Sequence, residues 1–117
     1  MQILLHALLI IIAILHALFM WLEMFLWTKP QGRKIFGLSK DFAEQSKNLA
    51  ANQGLYNGFL VAGLIWGLLA NQFSIQLFFL CCVFIAGVFG AMTVSRRIFW
   101  VQAMPAMIAL LILFQVN

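Results

Sequence analysis

Residues 39–67 read SKDFAEQSKNLAANQGLYNGFLVAGLIWG, and the stretch changes character along its length. It opens as a charged, water-compatible helix with Ser39 as N-cap and Asp41 and Glu44 near the positive end of the helix dipole. It passes through Asn48, Asn52, Gln53, Tyr56 and Asn57, then ends as an apolar segment notched by glycine. Amides cost free energy in hydrocarbon unless they find partners, so this block constrains what every neighbouring helix must offer.

The rest of the chain fits a lipid solvent. Of 117 residues, 65% are hydrophobic and 9% charged, with a mean hydropathy of +1.04. A soluble domain carries about 25% charged residues, so this chain cannot cover itself with a solvated surface. The net charge of +4 therefore concerns membrane topology, and no nucleic-acid partner is expected. Cys81 and Cys82 are adjacent in an apolar run, without metal-ligand spacing, and read as small buried hydrophobes. No P-loop, nucleophile elbow, HExxH or phosphate-cradling glycine motif occurs, and neither a cofactor nor a metal is expected.

Four apolar segments, each near the roughly 20 residues that cross the hydrocarbon, predict an all-α membrane protein. The expected helices are about 3–27, 41–70, 73–94 and 98–116, in one domain spanning residues 1–117. The first lacks a basic n-region and a small-residue cleavage site, so it is expected to stay as a membrane helix. Residues 28–40, with Pro30, Gly32 and Gly37, read as a turn-rich loop; Asn71–Gln72 and Ser95–Arg97 read as tight turns. Short connections imply an up-down-up-down antiparallel bundle. All seven basic residues, Lys29, Arg33, Lys34, Lys40, Lys47, Arg96 and Arg97, flank the first or third connection. The positive-inside rule then puts those loops in the cytoplasm and both termini on the far side of the membrane. The same basic residues can meet anionic lipid headgroups.

Orientation gives each polar residue a depth. Glu23, Asn52, Gln53, Tyr56, Asn57 and Gln102 fall in the cytoplasmic half, with Arg96 and Arg97 at its edge. Glu44, Asn48, Asn52 and Tyr56 recur every four residues on one face, broadened by Gln45, Gln53 and Asn57, and read either as ligand-binding groups, with Arg96, Arg97 and Gln102, or as interhelical hydrogen-bond glue. Glu23 is the sharpest candidate, because an ionisable group inside a membrane helix is a functional-site hypothesis by default. It reads either as an acid/base group or as a structural partner of a nearby arginine or lysine. His16 shares its face and reads as a packed neutral imidazole or, alternatively, as a proton relay. Gly54, Gly58, Gly63 and Gly67 form two GxxxG pairs suited to close helix packing, with a homodimer as one use of them. Pro105 is expected to kink the fourth helix and free a carbonyl near position 101.

Three runs, LEMFLWTKPQGRKIFGLS (22–39), NLAANQGLYNGFLVAGL (48–64) and AGVFGAMTVSRRIFWVQAMPA (86–106), resemble the bacterial family catalogued as Domain of Unknown Function 1304. The likeness covers most of the chain, and NQGLYNGF and TVSRR are its most specific parts. It implies a small four-helix inner-membrane protein and carries no activity with it. By the same likeness Glu23, Asn52, Gln53, Tyr56, Asn57, Arg96, Arg97, Gln102 and Pro105 fall at motif positions.

Three functions compete. A cytosol-facing pocket that binds, or converts, a small amphiphile suits a polar layer beneath an apolar chamber. A small proton-coupled exporter of the multidrug type also has four helices and a glutamate in the first, but keeps that carboxylate nearer mid-membrane. A scaffold or assembly factor would depend on the glycine notches more than on Glu23.

Overall fold

The computed structural model describes all of residues 1–117 and contains helices and no strands. The helices are α1 (Gln2–Phe25), α2 (Pro30–Phe36), α3 (Lys40–Ala70), α4 (Phe73–Thr93) and α5 (Met104–Gln115), the last preceded by a π-helical segment, Phe99–Ala103. Three of them, α1, α3 and α4, are long and apolar enough to cross a membrane. At 1.5 Å per residue the 31 residues of α3 extend about 46 Å, well beyond the ~30 Å of hydrocarbon. The polar first third of α3 is thus length to spare. Residues 99–115 form a shorter apolar stretch, about 25 Å long by the same rise.

The connection after α1 is more ordered than a loop. Pro30 occupies the first turn of α2, where its missing N–H costs nothing. Gly37, at φ 65°, ends it, and the Leu38 N–H returns to the Arg33 carbonyl at 2.9 Å. Gly32 is required at its site, because a Cβ there would run into the Leu26 carbonyl oxygen. Proline and glycine punctuate a turn of helix here, although their density reads as loop. The expected cap of α3 is present: Ser39 Oγ accepts the Phe42 N–H at 3.1 Å.

The chain divides into two compact units. The first comprises Met1–Ile14 and Ala62–Asn117. Its core holds Leu5, Leu9, Leu64, Leu80, Val83, Ala103, Ala106, Ala109 and Leu113. Small residues let the backbones approach: a Cβ on Gly87 would lie 2.6 Å from the Ala103 nitrogen, and one on Gly90 would lie 3.0 Å from Ile98. Asn71 turns the chain between α3 and α4 at φ 50°, and its Oδ1 accepts from Gln2 Nε2 at 3.3 Å. The fourth apolar stretch is not one uniform helix. The Met104 N–H reaches back five residues to the Phe99 carbonyl, and Pro105 follows at the start of α5. Proline has no N–H for the carbonyl four residues earlier, and a π-helical register occupies the turn that holds position 101, where a freed carbonyl was expected.

The second unit, Leu15–Val61, contains the end of α1, all of α2 and the first two-thirds of α3. Leu22, Ala43 and Ala50 are buried, as are Gly32 and Gly54. Phe36 lies against Trp27 at 5.0 Å between ring centroids. The unit carries all three acids of the chain and the amide block of α3, so the candidate site lies here.

Candidate functional site

The site begins with a glycine. A Cβ on Gly54 would lie 2.6 Å from Met24 Cγ, 3.1 Å from the Met20 carbonyl and 3.2 Å from Glu23 Cβ. One on Gly58 would meet Met20 Sδ at 2.8 Å. The first GxxxG pair thus seats the last turns of α1 directly on α3. Asn57 is one residue before Gly58 and three after Gly54, so it borders the same notch.

That close approach brings Glu23 to the amides. Asn57 Nδ2 donates to Glu23 Oε1 at 2.6 Å, and the Gln53 amide lies near enough to act on this carboxyl. Glu23 is only 5% exposed although it lies two residues from the end of α1. Within the unit the one ion pair is Lys47–Glu44, at 2.5 Å and largely in the open. The acid is therefore held by neutral amides, not by a cation.

Beside it runs an open groove of about 170 Å³, lined by Glu23, Met24, Phe25, Trp27, Lys47, Asn48 and their neighbours. Trp27 is fixed as one wall: its Nε1 donates to Ser46 Oγ at 3.0 Å, and that hydroxyl donates onward to the Phe42 carbonyl at 2.6 Å. Trp27 and Lys47 are absent from the expected site residues. Part of a signal existed, since placing Glu23 opposite Gly54–Asn57 in an antiparallel pair brings Trp27 to about residues 50–53, one turn short of the Ser46 that it bonds.

The other expected residues are distributed differently. Asn48 lines the groove, whereas Asn52 and Tyr56 lie on an exposed face of α3, with Tyr56 packed against Phe59 at 6.0 Å. The ladder is thus divided: Asn48 reaches the Glu23 groove, whereas Asn52 and Tyr56 do not line it. Gln53 is exposed overall and Asn57 half-buried. Arg96, Arg97 and Gln102 belong to the other unit. There the two arginines are exposed in the turn before residue 98, where Ser95 Oγ accepts the Arg97 N–H at 3.3 Å, and Gln102 is half-buried in the π-helical segment. His16 is wholly buried, its ring edge-on to Phe19 at 5.7 Å.

Fold and site together define a small helical protein with membrane-length helices and a buried acid clasped by amides. The family described as "Protein of unknown function (DUF1304)" matches residues 10–114, and the chain belongs to it. A similar protein is the "Uncharacterized protein YpaA" of Lactococcus lactis subsp. lactis (strain IL1403). The two are 29% identical over 110 residues, covering 87% of this chain and 92% of the relative. No solved structure matches the chain significantly.

Proposed function

We propose that this protein crosses the bacterial plasma membrane four times as an antiparallel bundle and binds the polar head of a small amphiphile at Glu23. The observation that carries this reading is the Asn57–Glu23 hydrogen bond of 2.6 Å beside the open groove. A buried carboxyl needs its lone pairs satisfied, and here neutral amides satisfy them next to a space where a ligand group can enter. An amphiphile's tail would lie along membrane-facing apolar side chains such as Phe25, 61% exposed. Binding is the primary reading; conversion of the ligand would use Glu23 as acid or base. The scaffold reading draws less support, because Gly54, Gly58, Gly63 and Gly67 are already filled by side chains of the same chain.

The test is mass spectrometry of small molecules retained by the protein extracted in its native lipid, wild type against Glu23→Gln. One amphiphile enriched on the wild type and depleted on the variant is expected; identical profiles would refute the site. The topology is tested separately by reporter fusions after Asn117. An alkaline phosphatase fusion should be active and a fluorescent-protein fusion dark, and the reverse pattern would overturn the orientation.

A further inference from the structure

Resting on that reading, we infer that the ligand's head group is cationic: an amine or quaternary ammonium carried on an apolar body. The argument is one of charge and wall chemistry. Glu23 is 5% exposed and its carboxyl meets only amides within its unit. Buried acids are paired as a rule, since taking a carboxylate out of water costs several kcal/mol that neutral partners only partly return. The one other charge lining the groove, Lys47, is already held by Glu44. Glu23 is thus the buried ionisable group of the groove, whereas Lys47 and its partner lie at the solvent-exposed edge.

The walls suit the same ligand class. Trp27 and Phe25 line the groove, and indole and phenyl faces attract a cation through their quadrupoles. Met24 adds a polarisable thioether. The Trp27 indole is held in place by its bond to Ser46, so it need not be ordered when a ligand arrives. An anionic head would instead be set beside the Glu23 carboxyl, away from the exposed Lys47 edge. A neutral head would leave the acid unpaired. A cation replaces the missing counter-charge and desolvates little of its own charge on an aromatic wall.

The test uses three radiolabelled probes of equal chain length: tetradecyltrimethylammonium, a tetradecyl glycerol ether and tetradecyl sulfate. Binding is measured to the full chain in lipid nanodiscs, with empty discs subtracted. The ammonium probe is expected to bind at least tenfold more tightly than either other probe. Glu23→Gln, in which glutamine can still accept from Asn57, should remove that preference and bring ammonium binding down to the level of the glycerol ether. Helical circular dichroism and gel filtration confirm that the variant is folded, and Glu23→Asp, which keeps the charge, should retain part of the preference. Equal binding of the ammonium and glycerol ether probes would overturn the cationic assignment while leaving the amphiphile site standing. An unchanged ammonium preference in Glu23→Gln would overturn it as well. No saturable binding of any of the three would overturn the amphiphile reading itself.

Discussion

Two buried polar side chains sit against glycines of α3, and they solve the same problem in opposite ways. At Gly67 the partner is Gln76, which is 2% exposed and donates its Nε2–H to the Gly67 carbonyl at 2.9 Å. Gly67 is one of the last four residues of α3, whose carbonyls lack intrahelical partners, so Gln76 completes the end of that helix. At Gly54 the partner is Glu23, which accepts from Asn57 and has a groove at its side. The first arrangement is neutral and closed; the second is ionisable and open. Burial of a polar group is thus no sign of function by itself. Charge beside open space separates a binding candidate from a structural tie.

The largest expected effect breaks the packing on which both junctions depend. A Cβ at Gly63 would fall within the Phe79 ring, whereas one at Gly58 meets the flexible end of Met20. Gly63→Leu should therefore destabilise by about 3 kcal/mol, and Gly58→Leu by about 1 kcal/mol. Unfolding in titrations with SDS reads the difference, and equal losses would mean that the two glycine pairs are packed alike.

Next come the polar residues themselves. Glu23→Ala leaves the Asn57 donor unpaired and should cost about 1–2 kcal/mol, while Glu23→Gln keeps an acceptor and should stay within about 0.5 kcal/mol. Gln76→Leu strands the Gly67 carbonyl and should cost about 1 kcal/mol. The comparison sharpens when ligand binding is read in parallel. Gln76→Leu should leave the affinity for the ammonium probe unchanged, whereas Glu23→Gln should lose it with little loss of stability. If both variants lose stability and binding together, the distinction between tie and site collapses.

Much of this was legible in the residues. Hydropathy and helical length mark α1, α3 and α4, and the Ser39 cap and Asn71 turn follow from local chemistry. Glu23 and Asn57 stand out because a membrane helix tolerates such groups only in company. Three features were beyond reach. The helical turn at Pro30–Phe36 hides because proline at its start and glycine in and after it look the same as loop punctuation. The division of the ladder depends on which side of α3 the glycines present to α1, and a period of four cannot tell that. The role of Gln76 depends on its reach to a carbonyl nine residues earlier in a different helix.

The smallest predicted effect concerns Trp27, and it tests whether the groove is preformed. The Trp27 Nε1–H donates to Ser46 Oγ at 3.0 Å, and this bond alone ties the indole to α3 by a polar contact. Ser46→Ala removes the acceptor but leaves the Phe36 ring in place 5.0 Å away, so the indole keeps its apolar packing. The loss should be about 0.5–1 kcal/mol, the net worth of one partly buried hydrogen bond. Its effect on binding should be larger in proportion. An indole no longer held by Ser46 must be ordered by the ligand, and immobilising such a side chain costs about 0.5–1.5 kcal/mol. A three- to tenfold weaker affinity for the ammonium probe is therefore expected, with the glycerol ether affected equally, because the wall and not the charge has been loosened. Ser46→Thr, which keeps the hydroxyl, should restore both. Selective loss of the ammonium probe in Ser46→Ala would instead mean that Trp27 acts through its ring quadrupole alone, and that the wall is assembled around the cation.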